Sequence, residues 1–322
     1  MQQDDGLKVP ERMIPVPRHL SSEAQAFLAR PHPPRITLPA ADDLEGWRRQ
    51  VAASDAMILQ MFFGRTTDDS CRVTPIREGE ASGFEIVPHG VEPGDRRVYL
   101  NIHGGALIYG AGEVCKAMAI GSALRLGVRV VAVDYRMAPD HPYPVPLDDC
   151  LAFYRMLLRD HAPHEIIVGG GSAGANLAAA LMLRARDEGL PLPAACMLTS
   201  PEADLTESGD SFATNAGIDG MGSLMTINLL HANGHPLDHP YLSPLFGDFS
   251  KGFPPTLLTA GTRDLFLSNA VRFHRALRNA GIAAELHVQE AAVHGAFGGS
   301  AMEDAEIEAE MRRFCEKWWG AG

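Results

Sequence analysis

One short segment limits what this chain can fold into more than any other. Gly169-Gly170-Gly171-Ser172-Ala173-Gly174-Ala175 lies between the apolar run Glu165-Ile166-Ile167-Val168 and an Ala/Leu-rich stretch ending at Arg186. The run reads as a strand, the glycines as a tight turn and the stretch as a helix, with a serine at the apex. This is the pattern of a nucleophile elbow. A serine hydroxyl is a poor nucleophile unless it stands clear of its sheet, next to a base and beside donors for a developing oxyanion. Gly170 and Gly174 leave room for the sharp reversal, and the first amides of the helix point unpaired above Ser172. The pentapeptide alone also fits a glycine-rich loop packing a helix onto a strand, so other residues must decide.

From about Val98 onward strand and helix patterns alternate, as a mostly parallel sheet covered by helices requires. Strands are expected at Arg97 to Ile102, Val128 to Val133, Glu165 to Val168, Ala195 to Thr199, Thr256 to Thr259 and Glu285 to Gln289. Helices are expected at Val114 to Leu126, Pro146 to Arg159, Ala175 to Glu188, Asn269 to Ala280 and Glu303 to Trp319. Cys71 to Ile76 and Gly83 to Pro88 read as an antiparallel pair extending the sheet to about eight strands. Two regions break the alternation. The N-terminal part is proline-rich from Pro10 to Pro39, then apolar on one helical face at Leu44, Trp47, Val51, Ile58 and Phe62. Leu205 to Phe253 is long and glycine-rich, with one short helix near Leu224 to Leu230, and an insertion of that size suggests a lid. The expected organisation is an N-terminal cap segment over 1–70, a catalytic domain over 71–204 and 254–322, and a cap insertion over 205–253.

A net charge of −12 and a pI near 5.5 argue against nucleic acid and anionic membrane surfaces as partners. Met1 through Pro17 has no apolar core of a secretory signal, and no apolar stretch is long enough to span a bilayer. Cys71, Cys115, Cys150, Cys196 and Cys315 are odd in number and widely spaced, as expected of reduced, buried thiols in a cytoplasmic protein.

Ser172 needs a base, and the serine-first order predicts an acid and then a histidine after late strands. Asp264 follows the strand ending at Thr259, and His294 follows the strand ending at Gln289. Asp264 would orient and charge-stabilise the imidazole of His294, which would take the proton from Ser172; Asp264 could also cap the helix after it. Asn101-Ile102-His103-Gly104-Gly105-Ala106 follows another strand, so the N–H groups of Gly104 and Gly105, with that of Ala173, are the expected oxyanion donors. His103 itself reads as structural. His231, His235 and His239 have ligand-like spacing, but Gly234 and Pro236 interrupt any helix that would align them. Asp148-Asp149 reads as charge at a helix start. No dinucleotide fingerprint follows the first parallel strand, so neither a metal nor an organic cofactor is expected.

With these motifs in place the chain resembles the bacterial hormone-sensitive-lipase-like carboxylesterases, an α/β-hydrolase family. The resemblance rests on His103-Gly104-Gly105, Asp134-Tyr135-Arg136-Met137-Ala138-Pro139-Asp140-His141-Pro142, Leu147-Asp148-Asp149, Gly170-Gly171-Ser172-Ala173-Gly174, Asp264 and Val293-His294-Gly295. It spans roughly Val98 to the C-terminus. It implies an α/β-hydrolase fold with a two-part helical cap, and hydrolysis of carboxylic esters, small molecules with short or medium acyl chains. It also leaves a homodimer open. The chain departs from the family pattern at Ala106, where a third glycine is usual, at Gly171, where Asp or Thr is usual, and at Glu202, where a tryptophan is more common. Two alternatives share this frame: a lactone hydrolase or acetyl esterase with the same triad, and a ligand-binding protein on a hydrolase scaffold, which the presence of His294 disfavours.

Overall fold

The computed structural model describes residues 6–31, 36–62 and 68–320. Eight strands form one sheet: β1 Cys71–Glu78, β2 Ala81–Pro88, β3 Val98–Ile102, β4 Arg129–Asp134, β5 Ile166–Gly171, β6 Ala195–Thr199, β7 Thr256–Gly261 and β8 Ala284–Gln289. Their order is β1-β2-β4-β3-β5-β6-β7-β8, antiparallel at β1–β2 and β2–β4 and parallel from β4 to β8. The helices are α1 Ser22–Leu28, α2 Leu44–Phe62, α3 Glu113–Leu126, α4 Val145–Asp160, α5 Ala173–Asp187, α6 Ser211–Thr214, α7 Met225–Ala232, α8 Leu267–Asn279 and α9 Met302–Trp319.

Successive strand residues point to opposite faces, and the central strands β3 to β7 are buried on both, so they read as largely apolar runs. Val98, Leu100, Ile102, Ile166 and Val168 pack against α4, α5 and α8. Tyr99, Val130, Ile167 and Met197 pack against Cys115, Ile120, Met311 and Phe314 of α3 and α9. All five cysteines are buried. Among the described residues no helix is long and apolar enough to cross a membrane.

Asp149 is more than charge at a helix start. It is buried in α4 and takes Arg136 as a fork, from Nε at 3.0 Å and Nη2 at 2.8 Å, along with the Arg136 backbone N–H at 2.9 Å. The expected apolar face of α2 is only partly buried. Trp47 is fully enclosed, Val51 and Ile58 are half-buried, and Leu44 is exposed because it lies ahead of the turn that packs; the side chain of Phe62 lies outside the described residues. Trp47 shares an apolar cluster with Ile108, Leu224, Ile227, Leu265 and Phe266, which joins α2 to the segment between β6 and β7.

That segment is held by buried polar side chains rather than by regular elements. Asn176 Nδ2 donates to Glu202 O and Leu242 O, each at 2.7 Å. Ser243 Oγ accepts the Leu205 N–H at 2.8 Å, and Asn228 Nδ2 of α7 donates to Leu205 O at 3.2 Å.

Candidate active site

The sheet places Ser172, Asp264 and His294 beyond the carboxyl ends of β5, β7 and β8, the edge where parallel α/β sheets gather their sites. Ser172 has φ 57° and ψ −122°, a conformation unfavourable for a residue with a Cβ, and α5 begins at the next residue. The reversal needs its glycines. A Cβ on Gly170 would fall 2.2 Å from Ile102 O, and one on Gly174 would fall 2.1 Å from the same oxygen. Gly171, unusual for the resembled family, has a local cause, since a Cβ there would meet Thr199 Oγ1 at 2.8 Å.

His294 Nδ1 lies 3.3 Å from Asp264 Oδ1. Asp264 is fully buried, and the same Oδ1 accepts the Phe266 N–H at 2.8 Å; because Phe266 is the N-cap of α8 and has no side-chain cap, Asp264 ties the loop ahead of the helix rather than capping the helix. Burial opposes its charge, but the His294 imidazole, the Phe266 N–H and the Ser200 hydroxyl outweigh it and hold its carboxyl below the ordinary range. Burial likewise opposes a charged His294. The hydrogen bond and charge of Asp264, helped by Asp219, prevail and raise its pKa above 6.5. The edge of Phe266 packs against the imidazole, with ring centroids 4.9 Å apart at 82°.

Gly104 lies against Ser172, and the backbone N–H groups of Gly104, Gly105 and Ala173 have no acceptor among the described residues. Ala106 and Leu107 continue the loop with φ 50° and 64°, so alanine occupies a left-handed position where glycine would sit without strain. His103 is buried and structural: its ring stacks on Tyr135, and Nδ1 lies 2.8 Å from Gly104 O. His231, His235 and His239 are not brought together as ligands; each ring instead contacts Tyr143.

Three residues between β6 and β7 carry weight that the sequence did not reveal. Asp219 Oδ2 accepts both the Leu265 N–H at 3.0 Å and the His294 N–H at 3.1 Å, tying together the loops that carry the acid and the histidine. Asn215 Nδ2 donates to Asp264 O at 2.9 Å. Glu202 follows β6, donates its N–H to Ser172 O at 3.3 Å, and is buried with neither carboxyl oxygen hydrogen-bonded. Burial pushes its pKa up to about 8, against the Asn228 amide and the His294 imidazole, which favour the charge. Only the unusual residue type at position 202 was visible in advance.

Residues 99–298 match the model of the alpha/beta hydrolase fold family. The chain is 34% identical over 217 residues to an esterase of Acinetobacter venetianus, covering 66% of this chain and 70% of that protein. It is 34% identical over 191 residues to an acetyl-hydrolase of Streptomyces hygroscopicus, covering 58% and 64%. A crystal structure of an esterase superposes with a TM-score of 0.87 at 32% identity over 98% of this chain and 99% of the other. An esterase of the bacterial hormone-sensitive lipase family superposes with a TM-score of 0.80 at 30% identity, over 93% and 99%. The chain therefore belongs to the α/β-hydrolase family, as a carboxylesterase of its bacterial hormone-sensitive-lipase-like branch.

Proposed function

We propose that the protein hydrolyses carboxylic esters of short to medium acyl chain through an acyl-enzyme on Ser172. The observation that carries this reading is the His294–Asp264 contact at 3.3 Å, at the same sheet edge as Ser172 and the free N–H groups of Gly104, Gly105 and Ala173. With its Nδ1 proton directed at Asp264, the neutral imidazole keeps a lone pair on Nε2. Ser172 Oγ attacks the ester carbonyl as Nε2 takes its proton, and the three N–H groups receive the oxyanion. Collapse of the tetrahedral adduct expels the alcohol, which takes the proton from His294. Water then repeats the sequence on the acyl-enzyme, releasing the acid and restoring Ser172.

In this reading residues 1–70 and 205–253 form a cap over the catalytic domain of 71–204 and 254–322. The shared cluster of Trp47, Leu224, Ile227 and Phe266 supports it. An apolar acyl channel formed by packing the two cap parts together would gain about 0.8 kcal/mol per buried CH₂ until full, which favours short and medium acyl chains. The test is covalent. A phosphonate ester should stop turnover of p-nitrophenyl butyrate while adding one adduct, mapped to the peptide containing Ser172. Inactivation with the adduct on another residue would contradict the assignment.

A further inference from the structure

Beneath the loop that carries Gly104 and Gly105, three Lewis bases from three rigid elements face one another. His103 follows β3, Cys115 lies in the first turn of α3, and Asp134 ends β4. One ligand atom from each lies within 4.8 Å of the others. The His103 tautomer is fixed, because Nδ1 faces the Gly104 carbonyl oxygen at 2.8 Å and must carry the proton there. Nε2 is therefore a bare lone pair, in a side chain only 2% exposed, and it has no hydrogen-bond partner. The Tyr135 ring, stacked at 4.1 Å, fixes the plane in which that lone pair points. Cys115 is fully buried, its Sγ 3.6 Å from Val133 O. Asp134 Oδ1 already accepts the Gly112 N–H at 2.9 Å. Asp55 of α2, which accepts the Gly110 N–H at 2.7 Å, adds a second carboxyl close enough to Asp134 to interact with its charge. Apart from the weak S–H of Cys115, the cluster offers acceptors to acceptors, an arrangement that a cation between them would relieve.

We propose that His103 Nε2, Cys115 Sγ and Asp134 form a binding site for one borderline-soft divalent metal ion of the zinc class, outside the hydrolytic machinery. One nitrogen, one sulfur and one oxygen match the preference of such ions, and a tetrahedral shell has ligand edges of about 3.4–3.6 Å. Each ligand needs to close by about 1 Å or less from the observed spacing. Binding displaces the Cys115 thiol proton to solvent and forms a metal–thiolate bond. Because that proton must leave, affinity should rise with pH. A filled site would fix the His103 ring and stiffen the loop that follows it.

The test uses the full chain, stripped with a chelator and titrated with Co²⁺ while near-ultraviolet absorption is recorded. One equivalent should produce a thiolate-to-cobalt charge-transfer band. Cys115→Ala should lose the band, Asp134→Asn should weaken binding at least tenfold, and Ser172→Ala should leave the band intact. Circular dichroism establishes that each variant is folded. If Cys115→Ala does not fold, Asp134→Asn decides alone. A band that survives Cys115→Ala, or Asp134→Asn binding as tightly as the parent, places the metal elsewhere and overturns the proposal. So does the absence of a band at millimolar Co²⁺, which would leave a bridging water as the only occupant.

Discussion

Glu202→Gln should stabilise this protein, and by more as pH rises. Burial pushes the Glu202 carboxyl, 1% exposed and without a completed hydrogen bond, from an ordinary 4.5 up to about 8 in the fold. Between those values the folded chain keeps a proton that the unfolded chain has released, so stability falls as pH increases through the window. The cost is about 1 kcal/mol at pH 5, about 3 kcal/mol at pH 7 and about 5 kcal/mol at pH 9, where the fold itself begins to ionise. An amide of the same shape cannot ionise and escapes it. For a chain of this length each kcal/mol moves Tm by about 2 °C. The variant should therefore melt about 6 °C above the parent at pH 7, with the gap widening from about 2 to about 10 °C between pH 5 and 9. Paired calorimetric scans at the three pH values measure it. A gap that stays constant with pH, or a parent that melts higher at pH 9, would refute the idea of a buried, protonated acid beside the histidine.

Four further outcomes follow from named contacts. Because His294 must be neutral to accept a proton and its pKa is raised above 6.5, kcat/KM should fall on the acid side of a midpoint above 6.5. Asp264→Asn should move that midpoint downward and lower kcat by a factor on the order of 10⁴, and an unmoved midpoint would exclude Asp264 as the partner. Arg136→Leu strands the buried Asp149 carboxylate and should cost about 3–5 kcal/mol in urea unfolding, whereas a loss under 1 kcal/mol would show that Asp149 finds water. Trp47→Ala opens the cluster that joins α2 to α7. It should cost about 3–5 kcal/mol and flatten the acyl-length profile on p-nitrophenyl esters, and an unchanged profile would remove α2 from the channel.

The parts legible in the sequence are those where backbone geometry leaves few residue choices. The elbow was readable because Gly170 and Gly174 both approach Ile102 O too closely for any side chain. The sheet was readable because Ile166, Ile167 and Val168 feed two buried faces, a pattern specific to covered parallel strands. Asp264 and His294 were found by their places after late strands, and the structure brings them together. Strand ends ran beyond the apolar signal: β1 continues through Arg77 and Glu78 because its pairing with Ala81 and Ser82 is a backbone matter that apolar periodicity does not encode. Asp219 and Asn215 were invisible for a related reason. They act through side-chain contacts to loops more than forty residues away in sequence, and nothing local marks an aspartate or asparagine that does so. Asp149 was misjudged because position at a helix start explained it before its partner Arg136 was in view.

The claim that Ser172 carries the chemistry is tested most directly by comparing the turnover of p-nitrophenyl acetate by the folded parent and by Ser172→Ala at equal concentration. Ser172→Ala should lose on the order of a millionfold in kcat, with the melting temperature little changed. A purified, folded variant that keeps a tenth of the parent rate would contradict it.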